Sequence, residues 1–433
     1  MKRILLFLAL IAASTLFAAA EYSFSAKADR SDAIYRKGEK ATISFFFRDA
    51  EGGAVADRTV NYRIFNNGKR RALGTMKLSP QGGGTIDVSS EKAGWVFLEF
   101  TLPQAEKSGK PFVAGFGVMF SPGEFAAARP EPADFDEFWR KARAELRQLP
   151  FGAKLTPLAS GNPGVTLNAL ELDAIGPYKV HAYFAKPARA TAKSAPGVIF
   201  FQSAWFGDCN RAQAIHHAAK GALVLSVNAH GLPVGKPQEF YTAAQKSKEY
   251  AGCYGRNLTK VKESFLYFTI LRCLRAIDYL KAQPEWDGKH LILCGGSFGG
   301  GQTIAATALE PATTLCVAGV PGLCDFGGGF AGRSPGWPKP YRVGSDGKAV
   351  PAEVPEQVDY LDGVNFARRI KCEVYTCTGF CDLTCVPTSV WTFYNTLPAG
   401  KKHILTSPGT GHGTRNRDGY ARIDAYLREI KGK

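Results

Sequence analysis

A serine among closely spaced glycines, followed much later by an aspartate and a histidine, could carry out nucleophilic chemistry. The serine lies in GGSFG at residues 295–299, between an apolar run and a helical segment. In such a G-x-S-x-G pattern a strained strand-to-helix turn exposes the hydroxyl, and small neighbours let the two backbones approach. A glycine-rich turn that binds phosphate is the alternative, but neither a G-K-[ST] ending nor an opening dinucleotide fingerprint accompanies it. The pattern favours Ser297 as a nucleophile.

A nucleophilic serine needs a general base, and that base needs a group that orients it. In hydrolases built on such a turn the chain order is Ser, then Asp or Glu, then His. Asp382 comes soon after a predicted strand at 372–377 that continues through Thr378 and Gly379, and His412 lies in the loop after the next predicted strand, at 403–406. We therefore predict that Ser297, Asp382 and His412 are catalytic.

The other candidate bases and acids fit these roles less well. We expect structural or surface roles for the histidines that lie within a helix or on strands away from the predicted site: His181, His216, His217, His290 and His403. Asp325 and Asp362 do not directly follow a predicted buried strand.

Acyl transfer also requires donors for the oxyanion that develops on the attacked carbonyl. The backbone N–H of Phe298, the residue after the nucleophile, is one candidate. The N–H of Ala204, in the loop at 201–207 after an early strand, is the other. Trp205 in that loop and His230 after a later strand are candidate substrate-pocket residues.

The segments that must position these residues are of two kinds. Residues 21–122 contain short strand-like runs separated by turn residues, including Asn66-Asn67-Gly68, which predicts an all-β, immunoglobulin-like sandwich. A Pro- and Gly-containing linker follows at 121–130. Residues 129–433 alternate short apolar runs with helical patterns, which predicts an α/β-hydrolase domain with a doubly wound, mostly parallel sheet.

Within 129–433 the predicted elements have the following ranges. Strands are expected at 197–201, 222–227, 290–294, 314–318, 372–377 and 403–406. Helices are expected at 211–220, 265–281, 302–309, 388–397 and 420–430. Segments 167–172 and 180–185 are expected to form an antiparallel hairpin at the edge of the sheet.

The first 20 residues have the pattern of a cleaved signal peptide. Lys2 and Arg3 precede an apolar stretch that ends in small residues, so we expect a secreted or periplasmic protein without a membrane span. The formal net charge is +16, but the basic residues are scattered, so no nucleic-acid partner is expected.

Ten cysteines lie between Cys209 and Cys385, an even number that permits disulfides after export without fixing their pairing. The spacings of Cys372, Cys377, Cys381 and Cys385 do not match a zinc C-x-x-C pair, and we predict neither a metal nor a cofactor. The oligomeric state is left open.

Six motifs in order resemble the acetyl xylan esterase / cephalosporin C deacetylase family, carbohydrate esterase family 7. They are PADFDEFW at 132–139, GGSFGGGQ at 295–302, VPGLCDF at 320–326, YLDGVNFA at 360–367, GFCDLTCVPT at 379–388 and GH at 411–412. The resemblance implies an α/β-hydrolase that removes acetyl groups from sugar hydroxyls. It implies Ser297, Asp382 and His412 as the triad and Phe298 and Ala204 as oxyanion donors.

Three positions differ from the family pattern. Phe298 replaces a glutamine, His230-Gly231-Leu232 replaces Arg-Gly-Gln, and Gly413 replaces a glutamate. We therefore keep two alternatives open: a hydrolase of another ester or of a peptide, and an inactive carbohydrate-binding homologue.

Overall fold

Two small sheets come first in the chain and one large sheet follows them. The computed structural model describes residues 22–103, 110–341 and 356–431, so the predicted signal peptide lies outside the described residues. The first eight strands, β1 to β8, span Tyr22–Ala28, Ile34–Tyr35, Lys40–Asp49, Thr59–Asn66, Lys69–Lys77, Gly83–Ser89, Gly94–Leu102 and Phe112–Phe120. They form a three-stranded sheet, β1-β3-β6, and a five-stranded sheet, β2-β8-β7-β4-β5.

Period-two burial explains why these two sheets form. In β3 the alternate residues Ala41, Ile43, Phe45 and Phe47 are fully buried, as expected for a strand with one face on a core. The ring of Phe45 lies 4.4 Å, centroid to centroid, from that of Phe100 on β7. The two sheets therefore share one aromatic core.

The large sheet has nine strands and is covered by helices. Strands β9 to β17 span Lys154–Leu158, Val165–Leu172, Val180–Pro187, Ala195–Phe201, Leu223–Val227, Trp286–Gly296, Leu315–Gly319, Glu373–Gly379 and Lys402–Ser407. Helices α1 to α8 span Phe135–Gln148, Arg211–Ala219, Gln238–Lys246, Phe265–Lys281, Phe298–Leu309, Gly363–Ala367, Pro387–Thr396 and Arg417–Lys431.

Six of these strands pair with one another in parallel, and the other three join the sheet through antiparallel pairs. The strand order is β17-β16-β15-β14-β12-β13-β11-β10-β9, and every neighbouring pair from β17 to β13 is parallel. The predicted hairpin of β10 and β11 is antiparallel, but β9 pairs outside it and forms the edge. The parallel strands point their carboxyl ends to one side of the sheet, where sites of such folds lie.

Several features differ from the sequence predictions. Helices α1, α3 and α6 lie outside the predicted ranges. Helix α1 buries Phe135, Trp139, Ala142 and Leu146, which follow helical spacing. Helix α5 begins at Phe298, four residues earlier than predicted, because the glycines at 299–301, which weaken a helical pattern, lie inside the helix and pack on neighbouring backbone. All ten cysteines are free thiols. Among the described residues, no helix has the length and apolar character needed to cross a membrane.

Candidate active site

Ser297 occupies the sharp turn between β14 and α5. Its backbone has φ 58° and ψ −122°, a conformation that a residue with a side chain rarely adopts. Two hydrogen bonds fix the turn: Ser297 N–H donates to Gly319 O at 2.9 Å, and Gly322 N–H donates to Ser297 O at 2.9 Å. The fold thus holds the Ser297 hydroxyl at the carboxyl end of β14.

The outer glycines of the GGSFG motif are needed because backbone passes close to them. A Cβ on Gly295 would lie 2.4 Å from Gly299 O, and a Cβ on Gly299 would lie 2.2 Å from Phe201 O. By contrast, a Cβ on Gly296 would meet nothing closer than 3.9 Å. The motif therefore reflects contact between β14, α5 and the end of β12.

The structure brings Ser297, His412 and Asp382 into one chain of hydrogen bonds. His412 Nε2 lies 2.8 Å from Ser297 Oγ, and His412 Nδ1 lies 2.8 Å from Asp382 Oδ2. Asp382 follows β16 and His412 follows β17, adjacent parallel strands. A proton on Nδ1 bonded to the carboxylate leaves Nε2 free to accept the serine proton.

Asp382 is held in place by the backbone that follows it. Its side chain is fully buried, and its second oxygen, Oδ1, accepts hydrogen bonds from Thr384 N–H at 2.8 Å and Cys385 N–H at 2.9 Å. The carboxylate therefore has one fixed orientation, with Oδ2 directed at His412.

The two predicted oxyanion donors lie beside Ser297. Phe298 is the first residue of α5, so its N–H has no partner within the helix. Among the described residues, no hydrogen bond uses the backbone N–H of Phe298 or Ala204. Both amides remain able to bind an anion, and the α5 dipole adds a favourable field.

Hydrogen bonds that the sequence did not predict hold the loop of Ala204. Tyr254 Oη donates to Ala204 O at 3.0 Å, and His230 Nε2 lies 2.7 Å from Tyr254 Oη. Gln302 Nε2 donates to Gln202 O at 2.9 Å. Tyr254, His230 and Gln302 bond mainly to backbone carbonyls or to residues distant in sequence. No local sequence pattern could therefore have identified them as supports of this loop.

A cavity of about 700 Å³ opens at Ser297. Its lining includes Ala204 and Trp205 from the loop after β12 and Thr414 and Arg415 from the segment after His412. The Trp205 side chain is 47% exposed, and its ring lies over Gly207, where a Cβ would come within 2.4 Å of it. An exposed indole beside polar groups offers a flat apolar surface at the mouth of the site.

His230 does not line this cavity, although the sequence suggested it as a substrate-pocket residue. Its ring is fully buried and stacks on Phe206 at 3.6 Å between centroids. Burial, aided by the nearby Arg272 cation, lowers the pKa of His230 to about 3. His230 is therefore a neutral residue behind the Ala204 loop.

The side chain of Phe298 is also fully buried and packs on Tyr254 and Trp337.

Asp325 and Asp362 form a buried network apart from Ser297. Arg333 donates to both oxygens of Asp325, at 2.8 and 2.9 Å. Asp362 accepts from the N–H groups of Asp325 and Phe326, at 2.8 and 2.7 Å. Burial raises the pKa of both carboxyls. These acids hold the loop after β15 in place.

One group of side chains among the described residues is close enough to share a metal ion: the ligand atoms of His216, His217 and Asp424 lie within 4.8 Å of one another. Lys220 Nζ, however, lies 2.6 Å from the same Asp424 oxygen. None of these residues lines the cavity at Ser297. The group is explained by an ion pair between Lys220, directly after α2, and Asp424 on α8.

Comparison with known sequences identifies the family. The model for acetyl xylan esterase (AXE1) matches residues 123–426. The chain belongs to the acetyl xylan esterase family. It is a carboxylic ester hydrolase. Acetyl esterase Axe7A of Xylanibacter ruminicola is 27% identical over 419 residues, which cover 95% of this chain and 92% of the relative. The alignment with this relative therefore extends into the residues before 123, which the family model does not match.

Solved structures of the same family share the fold. The acetyl xylan esterase from Paenibacillus sp. R4 has a TM-score of 0.58 at 21% identity, covering 72% of this chain and 98% of its own. Acetyl xylan esterase 1 from Thermoanaerobacterium sp. JW/SL YS485 also has a TM-score of 0.58, at 24% identity, covering 71% and 97%. The likeness supports an α/β fold of the esterase type.

Proposed function

We propose that this esterase removes acetyl groups from acetylated poly- or oligosaccharides through an acetyl-enzyme intermediate. The observation that carries the proposal is the hydrogen-bonded chain Ser297–His412–Asp382 at the mouth of a cavity. Ser297 is the nucleophile, His412 the general base and Asp382 the group that orients His412.

The first half of the reaction forms the acetyl-enzyme. Ser297 Oγ attacks the acetyl carbonyl carbon while His412 Nε2 takes the hydroxyl proton. The N–H groups of Phe298 and Ala204 donate to the oxyanion, and buried Asp382 stabilises the imidazolium. The bond to the sugar oxygen then breaks, and His412 returns the proton to that oxygen as the free sugar hydroxyl leaves.

The second half releases acetate. A water molecule in the vacated position gives a proton to His412 Nε2 and attacks the acetyl carbon. The bond between that carbon and Ser297 Oγ breaks, and His412 reprotonates the serine. The same two amides stabilise the second tetrahedral oxyanion.

Features of the cavity support a carbohydrate as the alcohol part of the substrate. Trp205 presents an exposed indole face, suited to the apolar face of a sugar ring. Arg415 and other polar side chains also line the cavity and can hydrogen-bond sugar hydroxyls. The names of the family and of its relatives point to the same class of substrate.

We also propose that the chain is exported and consists of two domains. The N-terminal sequence supports cleavage near residue 20. The shared aromatic core of β1 to β8 supports an immunoglobulin-like sandwich over 21–122, ahead of an α/β-hydrolase domain over 129–433. N-terminal sequencing of protein recovered from a secreting host would test the cleavage; an intact N-terminus in the mature protein would contradict it.

Acetate release from acetylated xylo-oligosaccharides, together with p-nitrophenyl esters of increasing acyl length, tests the activity. We expect release of acetate, a preference for acetyl over longer acyl groups, and loss of turnover in Ser297→Ala. Acid quenching followed by peptide mass spectrometry should find an acetyl group on Ser297. Undiminished turnover by Ser297→Ala would overturn the assignment, and glycan binding without turnover by the unmodified protein would favour the inactive homologue.

A further inference from the structure

A tryptophan of the N-terminal sheets holds the loop that carries the proposed catalytic acid. The indole N–H of Trp95, on β7, donates to Phe380 O at 2.7 Å. Trp95 is 1% exposed and Phe380 is fully buried. Phe380 comes two residues before Asp382, so this bond fixes backbone next to the acid.

A glycine on the neighbouring strand holds the second loop. Gly117 N–H, on β8, donates to Pro408 O at 3.0 Å, four residues before His412. Gly117 also lies directly against the acid loop, because a Cβ at this position would come within 2.3 Å of Phe380 O. Only a residue without a side chain permits this approach.

The two loops are also bonded to each other. Phe380 N–H donates to Ser407 O, and Cys381 N–H donates to Thr410 O, both at 2.9 Å. Phe380 packs in the same buried cluster as Phe116 of β8. Strands β7 and β8 therefore support a single unit that carries both the proposed acid and the proposed base.

We propose that Trp95 and Gly117 are positioning residues for hydrolysis, acting through Phe380 and Pro408 on Asp382 and His412. This inference rests on the proposed function of that pair. Effective nucleophilic catalysis demands geometry within about 1 Å. The N-terminal sheets thus serve the active site itself, in addition to any role as a spacer.

Trp95→Phe tests the hydrogen bond, and Trp391→Phe is its matched control. Trp391 belongs to the same buried cluster, but its indole N–H has no partner among the described residues. With p-nitrophenyl acetate we expect Trp95→Phe to lower kcat on the order of 10-fold with KM within about twofold, and to shift the acidic limb of the pH profile of kcat/KM. Trp391→Phe should leave both near the values of the unmodified enzyme.

A second pair of variants tests the same role if Trp95→Phe does not fold. Gly117→Ala places a methyl group against Phe380 backbone, whereas Gly115→Ala, two residues earlier on β8, meets the Phe97 ring inside the N-terminal sheets. Melting temperatures establish that each variant is folded at the assay temperature. We expect the kcat loss and the pH shift in Gly117→Ala alone.

Two outcomes separate this inference from the proposed function. Loss of turnover in Ser297→Ala, combined with equal kcat and equal pH profiles within both variant pairs, would overturn the positioning role alone. Full turnover in Ser297→Ala would instead remove the proposed function on which the inference rests. The rate at which a serine-directed fluorophosphonate labels Ser297 should fall in Trp95→Phe and stay unchanged in Trp391→Phe.

Discussion

The hydroxyl of Tyr254 donates to the carbonyl oxygen of Ala204 at 3.0 Å, so a residue between α3 and α4 holds the loop that carries a proposed oxyanion donor. Removing this hydroxyl in Tyr254→Phe frees the loop while keeping the aromatic ring. We expect kcat for acetyl ester hydrolysis to fall on the order of 10-fold, because pre-set donors stabilise the transition state.

Tyr250→Phe is the control for that experiment. Tyr250 is buried nearby and donates to His230 O at 3.2 Å, outside the Ala204 loop. Loss of the Tyr250 hydroxyl should lower the melting temperature with little change in kcat. Equal kcat losses in the two variants would contradict the role assigned to Tyr254.

Asp382→Asn should lower kcat by about 10³- to 10⁴-fold. The amide oxygen would accept from Thr384 and Cys385, turning the NH₂ group toward His412 Nδ1. His412 would then carry its proton on Nε2 and could not accept the proton of Ser297. Steady-state kinetics measures the loss, with exposed Asp418→Asn as control. A kcat within tenfold of that of the unmodified enzyme would contradict Asp382 as the orienting group.

Gly299→Ala should destabilise the fold while Gly296→Ala should not. The added methyl group at Gly299 would overlap Phe201 O, and overpacking of this kind costs about 1–3 kcal/mol. At Gly296 the space is open, so the free energy of unfolding should change by less than about 0.5 kcal/mol. Urea denaturation of both variants checks the difference, and a loss of less than about 0.5 kcal/mol in Gly299→Ala would contradict the overlap with Phe201 O.

His230 should make stability depend on pH. Its folded pKa is about 3, whereas in the unfolded chain it titrates near 6.5, so only the unfolded state binds the proton between these values. The free energy of unfolding should therefore fall as the pH drops below about 6.5, by about 2 kcal/mol at pH 5 from this residue.

His230→Gln, which cannot titrate, should lose this contribution. Urea denaturation at pH 7 and pH 5 should show a smaller decrease for the variant than for the unmodified protein. Parallel pH curves for His230→Gln and the unmodified protein would contradict a buried neutral imidazole.

The residues that the sequence places in order along the chain are those that come together in the structure. Ser297, Asp382 and His412 each follow a parallel strand, and such strands end on one side of a sheet, so order and strand pattern suffice to predict their proximity. The hairpin of β10 and β11 was also predicted correctly, because two short runs are joined by a turn near Gly176-Pro177.

What the sequence did not reveal are contacts made through backbone carbonyls. Tyr254 and Trp95 donate to Ala204 O and Phe380 O, which carry no side-chain signature. His230 was misplaced for a related reason: its position after a strand suggested the pocket, but the aromatic packing that buries it is visible only in three dimensions. Strand β9 was missed because Lys154–Leu158 is short and contains a proline.

The bond from Trp95 to Phe380 joins residues 285 positions apart. Because synthesis proceeds at about 5–20 residues per second, Trp95 precedes its partner by roughly 15 to 60 s. Throughout that interval the strand surface that later receives Phe380 is left uncovered, with an indole donor and apolar side chains available to other chains. The N-terminal sheets therefore cannot bury this part of their surface until the segment around Phe380 has been synthesised.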